Sequence, residues 1–246
     1  MRLNLLPNNT MMKIEIWSDI MCPFCYIGKR RFEEALSKFD NKNSIEIEWK
    51  SFLLSPEIKT DASKNIHRFL AEHKNVSIEE AKSMNNYVAG MAAQAGLIFD
   101  FDRAIPANSF NAHRFLHFAK QHGKQNEAEE KLFSAYFTEG KNIDDAQTLM
   151  LIAIELGLDA NKLAEDMNNG TFAEEVITDI KKAQQLGVRG VPFFVLNRKY
   201  AVSGAQESDV FYDTIVKAYN EWKAAQPKTS FETITGNSCN LEGNCD

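Results

Sequence analysis

The tetrapeptide Cys22-Pro23-Phe24-Cys25 falls between a stretch patterned as a β-strand and a stretch patterned as a helix, and that placement restricts the fold more than any other feature of the chain. Upstream, Lys13-Ile14-Glu15-Ile16-Trp17-Ser18 alternates polar with apolar residues and is rich in strand formers. Downstream, Ile27, Phe32, Leu36 and Phe39 recur at helical spacing, predicting a helix over 22–39. A second alternating run, Ile45 to Trp49, predicts another strand, so the chain opens β-α-β.

The helix start gives the two cysteines different chemistry. Unpaired amides and the positive end of the helix dipole favour a thiolate at that point, which makes Cys22 the expected nucleophile. Pro23 suits a first helical turn because its missing N–H would have had no partner there. Cys25 lies seven residues before Phe32 and is expected on the inward face, in line with Leu36 and Phe39, as the buried resolving thiol with the higher pKa. A zinc half-site is the competing use of a C-x-x-C, but zinc needs a second N/S pair at suitable spacing. The other two cysteines, Cys239 and Cys245, are more than 200 residues away, and no metal site is expected.

From about Asp61 to Gln185 the pattern is almost wholly helical. Ser77 and Glu80 form a capping-box signature for a helix closing near Gly96. Asn108 or Ser109 caps another, with Ala112, Phe115, Leu116 and Ala119 on one face. Further helices are expected over 132–137, 144–156, 159–168 and 171–186. Beyond them, Val191 to Leu196 and Lys199 to Ser203 read as two strands joined at Asn197-Arg198, and Glu207 to Trp222 as a closing helix. Pro192, at the start of a strand, is expected to be cis and to hold the Val191 backbone beside Cys22, where a substrate chain can add as a strand. Past Pro227 periodicity disappears, and 225–246 reads as a loosely held tail.

Composition narrows the function. With 28 basic against 34 acidic residues the formal charge is -6, and no basic run stands beside aromatics, so neither nucleic acid nor an anionic membrane surface is an expected partner. No apolar run reaches the roughly 18 residues of a transmembrane helix. Met1 to Thr10 lacks the apolar core of a signal peptide, which favours a cytoplasmic protein; Met11-Met12 offers an alternative start. Four cysteines are too few to staple 246 residues, and disulfides in a reducing compartment tend to be catalytic or sensing.

These residues resemble the DsbA family of the thioredoxin superfamily, most closely its FrnE-like branch. The matching pieces are Trp17-Ser18-Asp19 with Cys22 to Cys25, Asn108 to Arg114, Gly187 to Phe194 and Ser203 to Gln206. The resemblance implies an α/β thioredoxin fold, over 13–60 and 187–224, with a large all-helical insertion over 61–186. It implies a protein-disulfide oxidoreductase or isomerase with no bound cofactor, acting on protein or small-molecule thiols and disulfides, with glutathione as a candidate redox partner. Phe24 stands where strongly oxidising members carry histidine, which argues for a less oxidising couple. A C-terminal cysteine pair occurs in some FrnE-like proteins, making Cys239 and Cys245 a candidate second redox pair. Relatives sharing the insertion include kappa-class glutathione transferases and 2-hydroxychromene-2-carboxylate isomerases, which usually carry serine where Cys22 stands. A peptide-holding, chaperone-like module is the alternative from another class.

Some residues attract attention without a clear role. Asp19 and His113 are candidates for the cleft, Asp19 being equally an ordinary cap. His113 and His117 lie four apart on a helix, but with no third ligand in sight they are expected at the surface or in packing. Phe115, Phe118, Phe133 and Phe137 are expected mainly in the core.

Overall fold

The computed structural model describes residues 11–226. Its sheet has four strands, β1 (Met12–Ser18), β2 (Ile45–Ser51), β3 (Phe193–Leu196) and β4 (Tyr200–Ser203), in the order β2-β1-β3-β4. β1 and β2 are parallel, joined by the crossover helix α1 (Pro23–Ser37), while β3 pairs antiparallel with both β1 and β4. The tight β3–β4 turn spans 197–199, closes with Lys199 N donating to Leu196 O at 3.0 Å, and has positive φ at both Asn197 and Arg198.

Strand alternation sorts the sheet into two faces. Met12, Ile14 and Ile16 of β1 point to one side with Phe194 and Leu196, and pack under Phe32 of α1 and Phe211, Ile215 and Tyr219 of α9 (Ser208–Ala225). Trp17 points to the other side with Val195, against the helical block, and its indole N–H donates to Asp179 O at 3.0 Å. That second face also buries charge. Lys50 of β2 donates to Glu48 and lies 3.3 Å from Asp179 Oδ1, while His117 Nε2 lies 3.2 Å from Asp179 Oδ2. His117 is thus buried and structural, one of the packing roles expected of it.

Between β2 and β3 the chain forms α2 (Ile66–Lys74), α3 (Ile78–Gln94), α4 (Phe110–Gln121), α5 (Gln125–Phe133), α6 (Ala146–Glu155), α7 (Ala160–Asn168) and α8 (Ala173–Gln185). Ser77 and Glu80 close the expected capping box, and Asp145 and Asp159 cap α6 and α7 by accepting from amides of the first turn. At the α4 start Asn108, not Ser109, supplies the side-chain acceptor, for Phe110 N. α8 ends in paired reversed bonds, Gly187 N to Gln184 O and Val188 N to Ala183 O, a Schellman closure that needs the positive φ of Gly187. This stop turns the chain toward Pro192.

Two helix assignments are corrected. α2 is a separate helix, capped by Asn65. The helix expected over 132–137 begins at Gln125 and continues as a π-helical turn, Ser134–Thr138, because four charged residues among 127–131 mask an apolar period that runs through Ala128, Leu132 and Phe133. Phe115, Phe118, Phe133 and Phe137 are all buried. With Tyr26, whose ring stacks 4.8 Å from Phe133, they form the core of the insertion.

Candidate active site

The two cysteines occupy the start of α1. Cys22 is the N-cap, in extended conformation, Pro23 takes the first helical position, and Cys25 N donates to Cys22 O at 3.0 Å. No side chain caps this end, which leaves its first-turn amides without a side-chain acceptor beside Cys22. Cys22 is 4% exposed and Cys25 not at all.

Cys25 is buried as expected, in a different core from Phe32 and Phe39. It packs in the insertion's core beside Tyr26, Ile27, Ala112 and Phe133, whereas Phe32 and Phe39 pack under the sheet. Seven residues along a straight helix drift by only about 20°; the change of core comes because α1 runs from the insertion's core at its first turns to the sheet's core at its later ones. Burial pushes the Cys25 thiol well above the ordinary thiol range, and the neighbouring Cys22 sulfur adds to the rise. The Asp19 backbone and the Ser18 side chain partly offset it.

The Val191–Pro192 peptide is cis, and Cys22 Sγ donates to Val191 O at 3.5 Å. Pro192 O in turn accepts from Gly204 N at 2.8 Å, within the Ser203 to Gln206 stretch. Pro192 presses on α1 at Gly28: a Cβ there would stand 2.9 Å from Pro192 Cγ. Gly28 was not singled out in the sequence, although a glycine inside a helix without a cap role is itself a signal of close approach.

Pro23 and the 40% exposed Phe24 border a cleft of about 600 Å³, whose far wall is Leu70 and Lys74 of α2 and Met84, Tyr87 and Val88 of α3. Asp19 and His113 do not border it. Both are 1% exposed. Asp19 accepts from Met21 N at 3.1 Å and Leu54 N at 2.7 Å, tying the turn before Cys22 to the segment after β2. His113 sits on the inward face of α4, its Nε2 3.7 Å from Asp19 Oδ1. Cys239 and Cys245 lie outside the described residues.

A family profile described as a DSBA-like thioredoxin domain matches residues 13–216, from the first strand into the last helix. The chain belongs to the DsbA-like thioredoxin family. This is a family of thiol-disulfide oxidoreductases, and the fold described above is its thioredoxin sheet with a helical insertion. Among DsbA-like structures, the chain is similar to a probable DsbA oxidoreductase from Streptomyces coelicolor, with 33% identity, TM-score 0.79, and 96% of this chain and 98% of that one covered. It is 28% identical over 204 residues to protein YwbO of Bacillus subtilis, covering 82% of this chain and 94% of YwbO. A 2-hydroxychromene-2-carboxylate isomerase shares the fold at 16% identity and TM-score 0.61, covering 88% of this chain and all of that one.

A buried acid beside the site was missed in the sequence. Glu129 of α5 is fully buried, and Ser18 Oγ donates to its Oε1 at 2.8 Å. Glu129 looks like one of a run of surface acids, yet it shares the buried helical period of Gln125, Ala128, Leu132 and Phe133. Reading the period through the charges would have found it.

Proposed function

We propose that this chain is a dithiol-disulfide oxidoreductase in which Cys22 attacks and Cys25 resolves. The observation that carries this reading is the asymmetry of the two sulfurs: one belongs to the residue that opens α1 and lies beside the Val191 carbonyl, and the other is enclosed and held protonated. The Cys22 thiolate attacks one sulfur of a substrate disulfide, and the other sulfur leaves as a thiolate. Cys25 then loses its proton and attacks Cys22 Sγ, and the second substrate sulfur departs. The chain loses two electrons as the substrate gains them; the oxidising direction is the reverse.

The Val191 backbone beside Cys22 and the largely apolar cleft at Phe24 favour an extended peptide carrying an apolar side chain next to its cysteine. Protein disulfides are therefore the proposed substrates, with glutathione recharging the pair in a cytoplasmic setting, where catalytic rather than structural disulfides persist.

The test is a titration of the full chain in glutathione buffers, read by thiol-trapping mass spectrometry. A two-electron transition to an intramolecular Cys22–Cys25 disulfide is expected, and Cys25→Ser should instead accumulate a stable mixed disulfide on Cys22. If Cys22 takes only a glutathione adduct in the unmodified chain, the dithiol reading falls and a glutathione-dependent transferase or isomerase replaces it.

A further inference from the structure

The cleft bordered by Phe24 is largely apolar, and its polar lining is uneven. Lys74 and Ser83 are exposed, whereas Asn85 of α3 is only 8% exposed. A buried carboxamide in an apolar wall needs partners for both of its ends. Asn85 Nδ2 has one, since it donates to Nδ1 of His67 on α2 at 2.8 Å. Asn85 Oδ1 accepts from no described residue and opens on the cleft that Asn85 lines.

Three residues fix which end of the amide faces the cleft. The Asp102 side chain is 70% exposed, a carboxylate that can only accept, and His67 Nε2 lies 3.1 Å from its Oδ1. The ring proton of His67 is therefore on Nε2, and Nδ1 must accept. Asn85 can satisfy Nδ1 only with its N–H, which turns the C=O away from His67. His67 is itself 5% exposed and packed between the helices, so the cleft wall carries a set acceptor rather than an amide free to turn over.

We infer that Asn85 selects protein disulfides in which a tyrosine stands next to the cysteine that Cys22 attacks, its Oδ1 accepting from the phenol O–H. This inference rests on the dithiol reading above. The substrate main chain is taken up by the Val191 backbone beside Cys22, so what reaches across Phe24 into the cleft is a side chain. The space of about 600 Å³ holds an aromatic ring, with Phe24 and Tyr87 to pack against its faces and Met84 to touch its edge. A phenylalanine fills the same space but covers the Asn85 oxygen and leaves it without a partner; a phenol supplies the missing donor. Asn85 sets specificity in this scheme and takes no part in the exchange of sulfurs.

The experiment is a competition in one vessel. A limiting amount of the reduced full chain, carrying Cys239→Ser and Cys245→Ser so that only Cys22 and Cys25 act, is mixed with equal amounts of three short peptides. Each peptide is a disulfide-linked homodimer, so its two sulfurs are equivalent, and its cysteine is flanked by tyrosine, by phenylalanine or by O-methyltyrosine. Acid quenching and mass spectrometry give the ratio of reduced products, which is the ratio of kcat/KM values. The tyrosine peptide should lead both others by about tenfold, the effect of leaving one covered acceptor unpaired. O-Methyltyrosine keeps the ring and the oxygen and lacks only the donor, so it should fall with phenylalanine. Asn85→Leu should bring the three peptides to equal rates. Equal reduction of all three by the chain with Asn85 intact overturns the selection alone, and so does a tyrosine lead that survives in folded Asn85→Leu. Reduction of none of them overturns the dithiol reading and the selection together.

Discussion

Substituting alanine for Gly28 places a methyl group 2.9 Å from Pro192 Cγ and 3.5 Å from Ala205 Cα and Cβ. Carbon atoms in good contact sit about 3.5–4.0 Å apart, so the Pro192 ring and α1 must separate by about 0.6 Å. Two opposing terms set the stability. Alanine is favoured over glycine inside a helix by about 1 kcal/mol, and overpacking of this kind costs about 1–3 kcal/mol. Gly28→Ala is therefore expected to be destabilised by about 0–2 kcal/mol. The stronger effect is on the site, because the contact pushed away carries Val191 O, 3.5 Å from Cys22 Sγ. A misplacement of 1 Å can cost about a hundredfold in rate, so about half that distance should cost about tenfold in mixed-disulfide formation with a peptide disulfide. Urea unfolding and stopped-flow thiol trapping measure the two quantities. A variant stabilised by about 1 kcal/mol and reacting at the normal rate would show that helix propensity alone acts at position 28 and would refute the close approach.

Two further predictions concern buried carboxyls. Because Glu129 titrates at about 7 in the folded chain against an ordinary 4.5, the native state holds an extra proton between those values; its stability should fall as pH rises from 4.5 to 7, by at most about 3 kcal/mol. Urea midpoints across that window should decline in the native chain and decline less in Glu129→Gln; parallel curves would show that the carboxyl is not the titrating group. Glu130 behaves oppositely: burial raises it, but hydrogen bonds from Arg30 and the charge of Lys29 outweigh burial and hold it at about 2. Its contribution should be complete above pH 4.5 and lost on acidification toward 2, about 1–2 kcal/mol once its 30% exposure is discounted for screening. Glu130→Gln should flatten that acid limb, and an unchanged acid transition would remove the role given to it.

The local grammar of the sequence made most of the architecture legible. Strand alternation around Ile14 and Ile47, the Ser77–Glu80 box and the glycine ending α8 are short-range signals, and each marked its element within a few residues. The reactive pair was legible for the same reason, since a cysteine at a helix start is a local arrangement. Glu129 was not, because its partner Ser18 is 111 residues away and its own neighbours in sequence are charged. Asp19 and His113 went astray for a related reason. Their side chains are oriented by Leu54 N and by the inward face of α4, long-range contacts that no spacing announces. Gly28 stood in plain view, but only the arrival of Pro192 from the far end of the chain gives its missing side chain a meaning.

The seam along α1 also bears on how such proteins diverge. The first turns of that helix lie in the insertion's core and the later turns in the sheet's core, so the apolar surroundings that raise the Cys25 thiol come in part from a segment that the thioredoxin sheet does not itself contain. Two chains with the same tetrapeptide and the same sheet, but different insertions, will differ in how readily they give up electrons. Grafting Cys22-Pro23-Phe24-Cys25 into another scaffold should carry over the nucleophile and leave its poise behind.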